Sequence, residues 1–175
     1  MEQSEIIRIA AETAARTAIS EYKKEREKAV RINKDKRLRN TKLLMKNYRS
    51  LKAHVQNAVC DIGDADENAV DILELMWDTG KSEAVVESIK RSALRTYIII
   101  NHIDAMLAAY YKMCQRSEVA QRRWEILKRK YIDDNPMKNS EIAEIYFINP
   151  RTVQKDIDCA CSQLSTLIFG IDRVE

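Results

Sequence analysis

The chain is short of the two residues that punctuate tight turns, with three glycines and two prolines in 175 residues. An all-β fold needs many such turns, and they lean on Gly and Pro. Helices need neither, so the shortage points to an all-α protein. Aromatic residues are scarce too, at 6%, while 33% of residues are charged. That balance suits helices with one buried stripe and a solvated back.

Cysteines are few and poorly spaced for chemistry. Cys60, Cys114, Cys159 and Cys161 form no CxxC pair and no secreted-scaffold pattern. Cys159 and Cys161 stand two apart on an expected helix, so they point to different sides and cannot grip one metal together. Reduced, buried thiols in a cytoplasmic protein are the expected state. No apolar run approaches the roughly 20 residues of a bilayer-spanning helix, and no membrane contact is expected. The N-terminus lacks a basic region followed by an apolar core, so no signal peptide is expected either. His54 and His102 are isolated, and structural roles are expected for both. Glycine-rich phosphate loops, nucleophile elbows and zinc spacings are all missing. Nothing in the sequence therefore supports an enzyme or a cofactor.

Net charge is only +3, but it is unevenly spread. Residues 1–50 hold 14 Lys/Arg against 7 Asp/Glu, residues 51–110 hold 5 against 10, and residues 111–175 hold 11 against 10. A basic first segment followed by an acidic middle suggests two different jobs. The basic tract from Tyr22 to Arg49 could lie on phosphates, although the interspersed Glu21, Glu25 and Glu27 also suit ordinary surface pairing. The acidic stretch 64–78 reads as a solvated face or as a contact for a basic partner.

Apolar periodicity divides the chain into helices. Residues 2–31 read as one helix with a weak stripe of Ile6, Ala10, Ala14, Thr17 and Ala18, expected to lean on a partner surface. Asn33-Lys34-Asp35 reads as a bend. A second helix is expected over 37–60, with Leu44, Tyr48, Leu51, Val55 and Val59 inward, ending at Asp61-Ile62-Gly63-Asp64. A short helix at 66–78 carries Val70, Leu73 and Trp77 on one side, and Gly80 reads as its C-terminal cap. Ser82 reads as the N-cap of one long helix over 83–114. Ser117-Glu118 restarts a helix to about 132, with Val119, Trp124, Leu127 and Tyr131 inward, and Asp133-Asp134-Asn135-Pro136 ends it. Two more helices, 139–147 and 150–168, complete the chain.

That last pair carries the most specific pattern. Asn139 or Ser140 can cap the first helix. Ile142, Ala143 and Tyr146 share one side, and Ala143 is small enough for two helices to cross closely. Ile148 fills the turn. Asn149 is a good N-cap, and Pro150 sits at the first helical position, where its missing N–H costs nothing. Val153 and Ile157 face inward, and Ala160, Leu164 and Leu167 extend their stripe. Arg151, Thr152, Gln154, Lys155 and Asp158 then stand outward or flanking. This is a helix-turn-helix, whose second helix offers its first residues to base edges in a DNA major groove. Arg suits guanine, Gln suits adenine, and Thr can meet a thymine methyl. The position of Phe147 usually holds Gly, because φ is positive there. A side chain in that conformation costs about 1–2 kcal/mol. Either Phe147 packs on the preceding helix to offset the cost, or the turn differs.

The C-terminal third resembles sigma-factor region 4. More closely, Ile142-Ala143, Tyr146-Phe147-Ile148-Asn149-Pro150-Arg151-Thr152-Val153 and Asp156-Ile157 resemble phage late-gene transcriptional regulators of the ArpU/RinA type from low-GC Gram-positive bacteria. The closing Leu164-Ser165-Thr166-Leu167-Ile168-Phe169-Gly170 fits that group, and the match covers roughly residues 118–170. Arg39-Asn40-Thr41-Lys42-Leu43-Leu44-Met45-Lys46-Asn47-Tyr48-Arg49 is similar to N-terminal parts of such proteins. The resemblance implies activation of phage or mobile-element promoters inside a bacterial host, at the nucleoid. Pro150 stands where such proteins often carry Ser or Glu.

The sequence therefore predicts an all-α protein with an N-terminal long-helix region, 1–115, and a C-terminal trihelical helix-turn-helix domain, 116–175. The expected function is sequence-specific binding of double-stranded DNA in transcription regulation. Asn149, Arg151, Thr152, Gln154, Lys155 and Asp158 are the expected reading face, with Arg129, Lys130, Lys138 and Ser140 on the phosphate backbone. The N-terminal region is expected to supply a homodimer contact or a contact to RNA polymerase. Three alternatives remain: a sigma-like factor acting with core polymerase, a small terminase subunit that selects DNA for packaging, and a protein-only interaction module.

Overall fold

The computed structural model describes residues 3–57, 68–78 and 82–170. The chain is all-α. Among the described residues there are seven α-helices, one π-helical turn and no strand. The helices are α1 (Gln3–Asn57), α2 (Ala69–Asp78), α3 (Ser82–Arg91), α4 (Ala93–Cys114), α5 (Glu118–Leu127), α6 (Asn139–Tyr146) and α7 (Pro150–Phe169), with the π-helical turn at Lys128–Ile132. The chain divides into two compact units, Met1–Asp35 and Lys36–Glu175.

In the first unit, residues 3–35 of α1 hold their helix by local terms. Ala10, Ala11, Ala14, Ala15 and Ala18 have the highest helix propensity. Thr13 Oγ1 donates to the Ile9 carbonyl at 2.8 Å, Thr17 Oγ1 to the Thr13 carbonyl at 2.9 Å, and Lys24 pairs with Glu21 at 2.8 Å. The expected stripe is exposed at Ala10, Ala14, Thr17 and Ala18. No break in the helix falls at Asn33-Lys34-Asp35, where the pattern is expected to be interrupted. Asn and Asp disfavour a helix by no more than about 0.7 kcal/mol each, too little to end one that good formers flank.

The second unit has one continuous core. Leu44, Tyr48 and Leu51 of α1 are buried in it as the spacing predicts, with Val55 partly buried; Val59 lies outside the described residues. Polar bonds fix α1 against its neighbours. Asn40 Nδ2 donates to the Met76 carbonyl at 3.3 Å, Ser82 Oγ donates to Asn40 Oδ1 at 2.7 Å, and Tyr48 Oη donates to Asp104 Oδ1 at 2.6 Å. Burial pushes the Tyr48 phenol above its ordinary pKa, and the bond to Asp104 adds to the effect. Ser82 is thus a buried tie and not a helix cap. Gly80, Cys60 and the break at 61–64 lie outside the described residues.

The long helix expected over 83–114 is two helices. Ser92 interrupts it with extended backbone (φ −120°, ψ 113°), and its Oγ accepts from the Arg95 N–H at 3.3 Å. Thr96 Oγ1 then reaches back to the Ile89 carbonyl at 2.7 Å, bracing the corner. Ser competes for backbone groups in this way, which is why it favours caps over helix interiors. Ser117 caps α5 as expected, accepting from the Ala120 N–H at 3.2 Å. Val119, expected inward, is exposed.

No division falls at 115/116. α4 packs on α5 and α7, and α7 also packs on α5 and α6. Tyr110 of α4 meets Trp124 of α5 edge-on, with ring centroids 6.1 Å apart, and its hydroxyl donates to Gln163 Oε1 at 3.2 Å. His102 Nε2 lies 3.2 Å from the Ile168 carbonyl oxygen. The sequence places α4 before the expected boundary. The buried face of α4 belongs to the same core as the last three helices.

Candidate functional site

The α6–α7 pair forms as its residues predict. Ile142 and Ala143 are buried on α6, and Val153, Ile157, Ala160 and Leu164 are buried on α7. The turn between them is a Schellman cap. The Ile148 N–H donates to the Ala143 carbonyl at 3.0 Å and the Phe147 N–H to the Glu144 carbonyl at 3.3 Å. Ile148 packs against the core. Asn149 accepts the Arg151 N–H on its Oδ1 at 2.8 Å, and Pro150 opens α7. The start of α6 differs from expectation. Lys138 holds the N-cap position, and its backbone N–H donates to Glu141 Oε2 at 2.6 Å. Asn139 and Ser140 are already helical, so neither caps.

Phe147 adopts the left-handed conformation (φ 52°, ψ 43°), as the turn requires. The side chain does not pack back to offset this, since it is 95% exposed. Backbone strain of this kind persists only where surrounding structure imposes it. Here Ile148 and the two cap bonds impose it. We therefore expect Phe147→Gly to raise stability by about 0.5–1 kcal/mol, the relief of a left-handed side chain less the extra freedom of unfolded glycine. Chemical denaturation measures this. A loss of stability would mean that Phe147 makes contacts the turn depends on.

The outward flank of α7 is open. Arg151, Gln154 and Lys155 are exposed, and Thr152 is partly so. Three of the expected reading residues have internal partners: Asn149, whose Oδ1 is taken by the Arg151 N–H, Gln154 and Asp158. Gln154 Oε1 accepts from Asn139 Nδ2 at 3.0 Å, and its Nε2 donates to Asp158 Oδ1 at 2.9 Å. Asp158 is also paired with Lys42 of α1 at 2.7 Å. These bonds orient Gln154 and reserve the Asp158 carboxylate for a cation of the chain itself. Among the described residues, Arg151, Thr152 and Lys155 remain as the free donors of the flank.

The expected backbone-contacting residues separate. Lys138 and Ser140 are exposed beside Asn139. Arg129 is turned onto α6, its Nε donating to Tyr146 Oη at 3.4 Å and its guanidinium carbon 5.9 Å from that ring centroid. Lys130 Nζ donates to the Met137 carbonyl at 3.4 Å, and so braces the loop into α6.

The residues missed by sequence reasoning are the clamp behind the site. Asp156 is 3% exposed, and both its oxygens are taken, by Arg122 Nε at 2.9 Å and Arg123 Nε at 3.2 Å. The pair fastens α7 to α5, so the outward flank is positioned from its back. The signal was legible. Asp156 falls between Val153 and Ile157 on the inner stripe, where an acid needs a cation, and Arg122-Arg123 is an adjacent basic pair on the neighbouring helix.

Among the described residues no group of three His, Cys, Asp or Glu is arranged to hold a metal ion, and no helix is long and apolar enough to cross a membrane. Cys114 and Cys161 are buried as expected, whereas Cys159, on another side of α7, is only partly so. Burial pushes the Cys161 thiol up to about 12. No protein-family model, no curated protein and no solved structure matches the chain.

Proposed function

We propose that the protein binds duplex DNA in a sequence-specific manner through α7 and regulates transcription. The single observation that carries this reading is the α6–α7 corner itself. A Schellman turn with one left-handed residue leads into a capped helix, and that helix's first two turns expose Arg151, Gln154 and Lys155, with Thr152 partly exposed. A helix offered in this way fits the width of a B-DNA major groove. Its free N-terminal N–H groups also favour a phosphate. Arg151 is the residue best suited to a bidentate contact with guanine, and Lys155 to a phosphate. Gln154, held by Asn139 and Asp158, contributes by position, while Asp158 serves as an internal anchor.

The resemblance to phage late regulators extends the proposal to activation of phage or mobile-element promoters, in the cytoplasm of a bacterial host. Residues 3–35 of α1, helical yet exposed along their apolar positions, are proposed to contact a second copy or RNA polymerase.

Selection from a random duplex library tests the reading. The purified chain is expected to enrich one short sequence, with affinity that falls as salt rises. No salt-sensitive affinity for any duplex would leave a protein-only contact module and end the proposal. Enrichment only when core polymerase is present would replace it with a sigma-like one.

A further inference from the structure

Beside the α6–α7 pair lies a groove walled by cations. One wall is α1, where Arg39, Lys42, Lys46 and Arg49 recur at three- and four-residue spacing along one face. The other wall carries Lys130 of the π-helical turn and Lys138 at the head of α6. Two depressions make up the groove. Arg39, Lys42, Lys46 and Lys130 line the first, and Lys46, Arg49, Lys130 and Lys138 line the second. They share Lys46, Lys130 and Tyr131, so the two lie side by side. Among the described residues, Glu83 is the one carboxylate lining them.

The charge of this groove is largely uncancelled. Lys42 is neutralised by Asp158. Arg49 and Lys130 donate to main-chain carbonyls, those of Lys130, Asp133 and Met137. Such bonds orient a cation and leave its charge in place. Arg39 and Lys46 are exposed. The groove also adjoins the outward flank of α7. Its wall residue Lys42 holds Asp158 of α7, and Asn139, next to Lys138, holds Gln154. From Arg39 to Arg49 the α1 wall runs about 15 Å at the usual rise of a helix, long enough to follow several phosphates of one strand.

We propose that this groove is a second DNA contact: a track for one phosphate strand that continues from the major groove occupied by α7. It rests on the reading of α7 given above and assigns to α1 a role in affinity without sequence preference. Phosphate contacts position a protein on the duplex and carry no base information. The groove and the reading helix therefore divide the work. An acidic protein could also suit the cations, but continuity with the α7 flank favours DNA.

The test measures binding to a random-sequence duplex, and to a duplex carrying the selected sequence, across a series of salt concentrations. Arg39→Gln with Lys46→Gln is expected to weaken both complexes by the same factor, at least about tenfold. It should also flatten the slope of log affinity against log salt by about 1.8, the loss of two phosphate contacts. Preference for the selected sequence should not change. A control, Arg91→Gln with Lys112→Gln, removes equal charge from exposed positions outside the groove and should leave the slope near wild type. If wild type binds and the groove variant keeps its affinity and slope, the groove is no DNA track and serves an acidic partner. If the control flattens the slope as much, only net charge matters and the assignment falls. If wild type itself binds no duplex, the reading of α7 has failed, and this proposal fails with it.

Discussion

Asp156→Ala should lower the stability of the second unit by about 2–3 kcal/mol, with a fall in Tm of roughly 5–10 °C for a chain of this size. The carboxylate is 3% exposed and meets two guanidiniums at 2.9 and 3.2 Å. Alanine removes the charge that both arginines were placed to meet. Breaking a fully buried pair typically costs about 3–5 kcal/mol. The expected loss is smaller because Arg122 and Arg123 keep 34% and 28% of their side-chain surface in water and can be solvated there. The asymmetric variants give an internal check. Arg122→Ala leaves Arg123 on Oδ1, so it should cost clearly less than the loss of Asp156. Equilibrium denaturation in urea measures all of these. An Asp156→Ala protein within about 0.5 kcal/mol of wild type, the range of ordinary surface changes, would mean that the clamp does not hold α7.

The clamp matters because α7 has two faces with different work. Its inner stripe of Val153, Ile157, Ala160 and Leu164 sets the rotation of the helix, and so fixes which residues point out. Asp156, held from two directions, adds directional bonds to that packing. On the other side, Lys42 and Asn139 hold Asp158 and Gln154. The exposed Arg151 and Lys155 therefore stand on a helix fixed from both flanks. A site fixed in this way loses less freedom on binding.

How much of this was legible in the sequence follows from where the signals were local. The corner from Asn139 to Phe169 was readable because its Asn149 cap, its small crossing residue and its inner stripe all lie within 31 consecutive residues; the cap of α6 was not, since Lys138 holds that position. Ser117, which caps α5, is equally local. The break at Ser92 was hidden, since a helical apolar period continues across it and Ser is only a modest helix breaker. Its decisive partner, the Ile89 carbonyl bonded by Thr96, belongs to tertiary geometry. The expected boundary near 115 failed for a related reason. Charge and periodicity along the chain do not reveal that Tyr110 of α4 packs on Trp124 of α5. The Arg122, Arg123 and Asp156 clamp joins residues more than 30 positions apart. The local cue is an acid on an apolar stripe, which demands a cation, but which cations meet it depends on how α5 packs against α7. The basic face of α1 was visible as composition, but its pairing with Lys130 and Lys138 required the fold.

The most informative single change is Arg151→Ala. The side chain is exposed, while the backbone N–H of the same residue is held by Asn149 Oδ1 at 2.8 Å. Truncation thus leaves the cap intact, and stability should stay within about 0.5 kcal/mol of wild type. Affinity for the selected duplex should fall by about 1–3 kcal/mol, and preference should relax at one base pair. Loss of one charge alone would also weaken binding, to every sequence alike. Arg151→Lys separates the two effects. It keeps the charge and cannot offer the planar pair of donors that matches guanine. The lysine variant should therefore hold random duplex about as well as wild type and lose discrimination at the same position as the alanine variant. Quantitative binding to the selected sequence and to its single-base-pair variants gives the answer. If both variants discriminate at every position as wild type does, Arg151 reads no base.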